Sequence, residues 1–381
     1  MKRKLQRWYD WLESNGAAPA FGGGVLLTIG LCFFGAATNT MAGWLYVISG
    51  LILALLILGA VLPMRSLKAL QVQRQPITPV SVGDVISLDV QVTNPTAQPK
   101  ALLQLIELLP KALGQPQPVT IEAIAPQQTR TYTTTTQATQ RGLYHWPGLF
   151  FRTGNPLGLF WCRRWRSLPA QVIVYPQILP LRRCPLIDTI QQNEQLNIQQ
   201  EHRYQAATEG ITKALRPYRF GDPTRLIHWR TSARLGNLQV RELEILTSGR
   251  EVLIALDSHA VWSHDDFEQA VIAAASLYFY TSRAQLAVTL WTAATGTVQG
   301  NRVVLETLAA VQYQEALQFE RPATMPLLWL TPSGQASSAL PPGSLTLLFG
   351  STSSQTAQTP TLVIERDRPL IEQLSQPIQF R

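Results

Sequence analysis

Ser14 to Met64, SNGAAPAFGGGVLLTIGLCFFGAATNTMAGWLYVISGLILALLILGAVLPM, holds no Lys, Arg, Asp, Glu or His. Its two apolar runs, Phe21 to Thr38 and Met41 to Leu62, are each close to the ~20 residues that cross a hydrocarbon core as a helix. The polar break between them, Thr38-Asn39-Thr40, is short and suits a tight helical hairpin. Lys2, Arg3, Lys4 and Arg7 precede the pair, Arg65, Lys68 and Arg74 follow it, and the tip carries no basic residue. The positive-inside rule then puts both termini in the cytoplasm. Residues 1–68 are therefore expected to be an anchor in the lipid bilayer, with spans at about 21–38 and 41–62. Trp8, Trp11, Trp44 and Tyr46 suit the interfaces. A cleaved signal peptide needs a small-residue cleavage site after the first run, for which Ala36-Ala37 is poor.

Outside the anchor the chain is long enough, at 381 residues, for two or three domains with ample cores. Lys and Arg exceed Asp and Glu by 32 to 24, a net charge of +8. That balance suits anionic partners, and equally the cytoplasmic side of a membrane protein. Cys32, Cys162 and Cys184 form no spaced set, which excludes a zinc pattern and a disulfide framework.

Residues 69–176 read as β structure. Val85 to Val92 alternates apolar and polar, with Ile86, Leu88, Val90 and Val92 on one face. Ala101 to Leu109, Val119 to Ile124, Thr129 to Thr136, Gly142 to Phe151, Leu159 to Trp165 and Val172 to Tyr175 are further strand candidates, and together they suggest a sandwich. Residues 177–208, with Pro180, Pro185 and a Gln/Asn-rich tract, read as a linker or exposed loop. Residues 251–381 alternate strand and helix. Val252 to Leu256 is a continuous apolar run, as in a strand buried on both faces. Ser263 and Asp266 form an N-terminal helix cap, and Phe267, Val271, Ala274 and Tyr278 follow at helical spacing. Leu286 to Trp291, Val303 to Val311 (a helix), Leu327 to Leu330, Leu345 to Phe349 and Leu362 to Ile364 complete an α/β doubly wound, mainly parallel sheet. The fold class expected is multidomain α+β.

Between them, residues 209–250 concentrate charge. Lys213, Arg216, Arg219, Arg225, Arg230, Arg234 and Arg241 stand against Asp222, Glu242 and Glu244. Gly221-Asp222-Pro223 reads as a turn and helix cap. The helix then buries Leu226, Trp229 and Ala233 and presents Arg230 and Arg234, with Gly236 as its stop. Leu238 to Ile245 continues as an extended segment. Arginine makes directional contacts with carboxylates and phosphates. The block is thus either an anionic docking surface or a set of arginines tied to Asp222, Glu242, Glu244 and backbone carbonyls. His228 is more plausible as a structural residue than as a catalytic base.

The block resembles the bacterial family of unknown function numbered 58. Arg216, Tyr218, Gly221, Asp222, Arg225, Ile227 and Trp229 match its signature, as do Ser232-Ala233-Arg234 and Val240-Arg241-Glu242. Arg141-Gly142-Leu143-Tyr144 and Asn155 to Phe160 resemble its motifs in the β region, with Asn155 where the pattern prefers Asp. The resemblance implies a bacterial inner-membrane protein associated with MoxR-type AAA+ ATPases. It also implies a C-terminal domain like von Willebrand factor A. Such domains often hold Mg²⁺ at Asp-x-Ser-x-Ser, oxygen ligands suited to a hard cation. Here the strand leads into Asp257-Ser258-His259-Ala260-Val261, so Asp257 stays while His259 and Val261 replace serines, and Thr331 lies in a later loop without Asp. No metal or other cofactor is expected.

There is no phosphate-cradling loop, Gly-x-Ser-x-Gly elbow or zinc pattern. The expectation is a membrane-tethered, non-enzymatic adaptor that docks an AAA+ ATPase of MoxR type or its client. Its signature residues are Arg216, Tyr218, Arg219, Gly221, Asp222, Arg225, Trp229, Arg230, Arg234, Arg241 and Glu242. The alternatives are an envelope hydrolase or transferase using Asp222 and His228, or nucleic-acid binding through the arginines with Tyr218 and Trp229, which the anchor disfavours.

Overall fold

The computed structural model describes residues 2–114, 117–188, 212–218, 227–243, 251–320, 322, 326–332, 340–341, 343–350 and 361–376, without the side chains of 2–5, 212–214 and 241–243. The chain divides into two units, Met1–Pro176 and Gln177–Arg381.

The first unit opens with α1 (Lys2–Asn15), a short strand β1 (Ala18–Pro19), and the helices α2 (Phe21–Thr40) and α3 (Gly43–Ser66). α2 and α3 are long and apolar enough to cross a membrane. The expected break is displaced. Thr38 Oγ1 donates to Gly35 O and Thr40 Oγ1 to Ala36 O, both at 2.8 Å. Both threonine hydroxyls find their acceptors in the preceding turn, so these polar residues sit inside the helix. The chain reverses instead at Met41, in the left-handed region at φ 51°, followed by an extended Ala42. Gly30 sits where the helices cross: a Cβ there would lie 2.9 Å from Ile52 Cγ2.

Two sheets follow. In the smaller, β2 (Gln71–Arg74), β4 (Val85–Thr93) and β7 (Thr129–Gln137) run antiparallel in the order β2-β4-β7. In the larger, β9 (Phe160–Tyr175), β8 (Gly142–Thr153), β5 (Lys100–Glu107) and β6 (Val119–Ile124) follow β1 in the order β1-β9-β8-β5-β6, and β3 (Val80–Ser81) pairs with β9. The alternation of β4 does what its sequence says, since Ile86, Leu88, Val90 and Val92 are fully buried. Ile86 and Leu88 pack with Trp146, Val172 and Val174, while Val90 and Val92 pack with Leu103, Leu105, Ile121 and Phe151. The two sheets therefore face each other across shared apolar clusters, each such side chain contributing roughly 1.5–3 kcal/mol. Two of the expected strands, at 159–165 and 172–175, are one continuous β9. Its register against β8 shifts between Trp146 and Gly148.

One polar group interrupts this interior. Glu107 Oε2 accepts from Arg74 Nη2 at 3.0 Å and from Trp146 Nε1 at 3.1 Å. The side chains of Arg74 and Glu107 are 7% and 0% exposed. Arg74 Nε and Nη1 and Glu107 Oε1 meet no hydrogen-bond partner among the described residues.

In the second unit the segment expected as linker is partly core. Leu181, Cys184, Leu186 and Ile187 are buried against the α/β body, Leu179 N–H donates to Ser276 Oγ at 2.9 Å, and Tyr280 Oη donates to Asp188 at 3.4 Å. Apolar residues between the prolines outweigh the absence of periodicity. The tract 189–208 lies outside the described residues. Burial pushes the Cys184 thiol up to about 11, which keeps it protonated and unreactive.

The signature block contributes β10 (Thr212–Pro217), α4 (Trp229–Leu235) and β11 (Gln239–Leu243). Then come β12 (Glu251–Leu256), α5 (His264–Arg283), β13 (Ala287–Thr292), β14 (Gly296–Val298), α6 (Asn301–Ala310), β15 (Leu327–Thr331), β16 (Leu345–Phe349), β17 (Thr361–Ile364) and α7 (Leu370–Ser375). The sheet order is β14-β13-β12-β15-β16-β17, parallel except for the edge strand β14. Val252, Ile254 and Leu256 face α5, α6 and α7. Leu253 and Ala255 face the other way, with Trp291, Trp329 and Leu340. Among the described residues the helices thus cover one face of the sheet, where a doubly wound fold has helices on both. Much of the chain between β15 and β17 lies outside the described residues.

The cap of α5 forms as expected: Ser263 Oγ accepts from Asp266 N–H at 3.3 Å and donates to Asp266 Oδ2 at 2.7 Å. Arg366 adds an unforeseen clamp, with Nε 2.7 Å from Asp266 Oδ1 and Nη2 bonded to Oδ2. The Arg366 hydrogen bond holds the Asp266 carboxyl below the usual carboxylate range against a smaller opposing effect of burial, helped by the Ser263 bond. A depressed carboxyl stabilises the fold above its unfolded pKa, and that contribution is lost as pH falls through the folded value. Asp266→Asn is expected to flatten the acid side of the stability profile, near and below pH ~4, and to leave its shape at neutral pH unchanged. Chemical denaturation across the acid range measures this.

Candidate functional site

The two ends of the signature meet in space. β10 and β11 pair antiparallel, with Leu215 opposite Arg241, Arg216 opposite Val240 and Pro217 opposite Gln239. Tyr218 N–H donates to Leu238 O at 2.9 Å, and buried Ile227 bridges to Val240. Arg216 and Tyr218 are half-buried, and Arg216 Nη1 donates to Pro217 O at 3.3 Å. Arg219, Gly221, Asp222 and Arg225 lie outside the described residues, as do the side chains of Arg241 and Glu242, whose backbones belong to β11.

The helix in the block is shorter than expected and buries a different residue. It starts at Trp229, and His228 is its cap, Nδ1 accepting from Thr231 N–H at 3.2 Å. The expected turn and cap at Gly221-Asp222-Pro223 lie outside the described residues. Ser232, rather than Trp229 and Ala233, is the buried residue: its hydroxyl donates to His228 O at 3.0 Å and accepts from Gln239 N–H at 2.8 Å. This small polar contact fixes the helix onto β11, while Trp229, at the helix's first position, stays outside the packed contact. Trp229 is 65% exposed, with Leu235 at 60% and Leu238 at 43%. Arg230 and Arg234 are exposed on the same helix, and Gly236 ends it in the left-handed region at φ 69°. The expectation that Trp229 anchors the block in a core is corrected, and the expectation of exposed Arg230 and Arg234 holds. His228 spends Nδ1 on the helix N-terminus, a structural use.

A second place is the carboxyl edge of the parallel sheet. The chain leaves β12 towards β13 on one side and reaches β15 on the other, so the switch point lies between β12 and β15, where open α/β sheets bind ligands. Asp257 follows β12, and its Oδ2 accepts from the Thr331 hydroxyl at 3.1 Å. Asp257 O accepts from Trp262 Nε1 at 2.6 Å. Ser258 is fully buried and accepts from Ala293 N–H at 3.1 Å. His259 Nδ1 lies 2.9 Å from Glu315 O, and Glu315 N–H donates to Ser258 O at 3.1 Å. The loop's polar groups thus hold the loop itself. Among the described residues no group of three His, Cys, Asp or Glu side chains is placed to hold a metal. Among the described residues Asp257 Oδ2 is bonded to Thr331 and Ser258 Oγ to Ala293 N–H, where a hard cation takes about six or more oxygens.

With this geometry in place, residues 214–315 match the family model described as "Protein of unknown function DUF58". The match runs from β10 through the signature block and the Asp257 edge to the Glu315 loop. No curated protein matches the chain. Short parts are similar to solved structures: an alpha-2-macroglobulin mutant from Salmonella (24% identity over 28% of this chain and 7% of that one, TM-score 0.19) and a beta-glucosidase from Listeria innocua in complex with gluconolactone (11% identity over 27% and 16%, TM-score 0.17). The chain spans less than a fifth of either, and overlaps this slight define neither fold nor activity for it.

Proposed function

We propose that this chain is a non-enzymatic adaptor, anchored in the bacterial inner membrane with both termini in the cytoplasm, that docks a protein partner through Trp229, Arg230 and Arg234. The observation that carries the proposal is that one short helix exposes an indole, at 65%, and two arginines, Arg230 and Arg234. Exposed Trp and Arg together form the composition of binding hot spots, and the arginines select an acidic face. The two apolar helices with basic flanks support the anchor and its orientation. The facing sheets support a sandwich, and the mainly parallel sheet supports a von Willebrand A-like body. The family match over 214–315 supports the sequence resemblance, and that resemblance implies a MoxR-type AAA+ ATPase or its client as partner. The adaptor works without a resident metal or cofactor and without nucleic acid.

Pull-down of the full chain from mildly solubilised membranes at low salt tests this. An ATPase of that class, or its client, is the expected catch, reduced about tenfold or more by Arg230→Glu with Arg234→Glu, the loss of a small number of charge contacts. Recovery of no protein partner, or equal recovery by the charge-reversed chain, would reject the proposal.

A further inference from the structure

Helix α1 carries two faces with different tasks. One is fastened to the β domain. Glu13 is 4% exposed, and its Oε1 accepts from Arg152 Nε at 2.6 Å. Arg152 also stacks over Trp161 at 4.3 Å. Arg164 binds the carbonyls that a helix C-terminus leaves unsatisfied: Nη1 donates to Glu13 O at 3.4 Å and to Ser14 O, and Nη2 to Asn15 O at 3.5 Å and Gly16 O at 3.4 Å. One turn earlier, Tyr9 Oη donates to Pro19 O at 3.2 Å, just ahead of α2. Tyr9 and Glu13 stand four residues apart, on one side of the helix.

The other face is bare. Trp8 and Trp11, three residues apart, are 61% and 59% exposed, and Arg7 is exposed beside them. At 3.6 residues per turn this sector lies opposite Tyr9 and Glu13. The helix begins with Lys2, Arg3 and Lys4. Its position is also fixed relative to the two apolar helices. β1 pairs with β9 at Trp161 and Phe160, and Ala20 N–H donates to Leu159 O at 2.9 Å. Gly23 of α2 and Gly59 of α3 both lie against Leu159. α1 and the near ends of both apolar helices thus converge on one strand end.

We infer that α1 is an interfacial helix whose Trp8–Trp11 face beds into the headgroup region of the cytoplasmic leaflet, with Arg7 taking anionic lipid. The inference rests on the two-span reading. Indole rings prefer the boundary between hydrocarbon and water, and basic residues beside a bilayer favour anionic headgroups. The Glu13 and Arg164 contacts hold the helix in place whichever lipid is present, so the bare face is preorganised.

The test places a photo-cross-linking benzoylphenylalanine at Trp11 in the full chain. The protein is reconstituted in vesicles of phosphatidylcholine, alone or mixed with phosphatidylglycerol in equal amounts, and alkaline extraction checks insertion. Lipid adducts at position 11 are expected, enriched in phosphatidylglycerol, and Arg7→Gln is expected to lower the enrichment by up to about fivefold, the share of one basic group at an anionic surface. A chain that resists extraction yet gives no lipid adduct, or adducts without headgroup preference, overturns the inference and leaves the spans standing. A chain released by alkali overturns the spans and the inference with them.

Discussion

Glu107→Ala is expected to destabilise the first unit by about 3–5 kcal/mol, the cost of leaving one member of a buried ion pair without the other. The substitution takes from Arg74 its 3.0 Å partner and from Trp146 Nε1 its 3.1 Å acceptor, both inside the interior. Among the described residues Arg74 Nε and Nη1 meet no other hydrogen-bond partner that could compensate the charge left behind. Replacing both members by leucine is expected to recover most of the loss, because a buried pair contributes little beyond what apolar packing supplies. Cys162 reports the effect locally, since it is fully buried in this unit. Thiol labelling of the full chain in detergent, read at Cys162 over a denaturant series, gives the stability directly. A change under about 1 kcal/mol for the single variant, the size of an exposed pair, would mean that water reaches the pair.

Gly148→Val is expected to cost about 3 kcal/mol or more. A Cβ at residue 148 would lie 2.2 Å from Arg166 O and 2.9 Å from Leu168 N. Those are backbone atoms of the paired strand β9, so no side chain can swing away. The contact falls where the β8–β9 register shifts, between Trp146 and Gly148. The same Cys162 labelling measures it. A near-neutral substitution would show that the strand pair deforms without cost.

Much of this architecture is legible in the sequence because it is written in local periodicity. The alternation at Ile86, Leu88, Val90 and Val92, the Ser263 cap and the Gly236 stop each need only neighbouring residues to be read. Features set by distant contacts are not legible this way. β1, β2 and β3 are short and exist because a longer strand accepts them. Residues 177–188 lack a period but supply Leu181 and Ile187 to the core. Thr38 and Thr40 look like a break, yet their hydroxyls bond within the helix.

The candidate site divides the same way. Arg230 and Arg234 read correctly as exposed from helical spacing. Trp229 does not, because its hydropathy says inward while the contact that fixes the helix is a polar one, from Ser232 to Gln239 on β11. Pairing of β10 with β11 explains why a signature spread over some thirty positions acts as one unit, since its ends are neighbours. For α1 the sequence suits Trp8 and Trp11 to an interface, but not the second face that Tyr9 and Glu13 form. What the sequence could not supply was Arg152, more than a hundred residues away, which decides which face is fastened.

On this reading a bilayer-tethered protein offers the Trp229 side of its short helix to a protein partner. Photo-cross-linking in native membranes tests it most directly, with benzoylphenylalanine in the full chain at Trp229 and, as control, at Val261, which is 76% exposed in the same unit. A discrete protein adduct at position 229 is expected, absent at 261 and lost when Arg230 and Arg234 are reversed to Glu. No adduct at 229 above the level at 261, from a chain that remains in the membrane, would contradict the account.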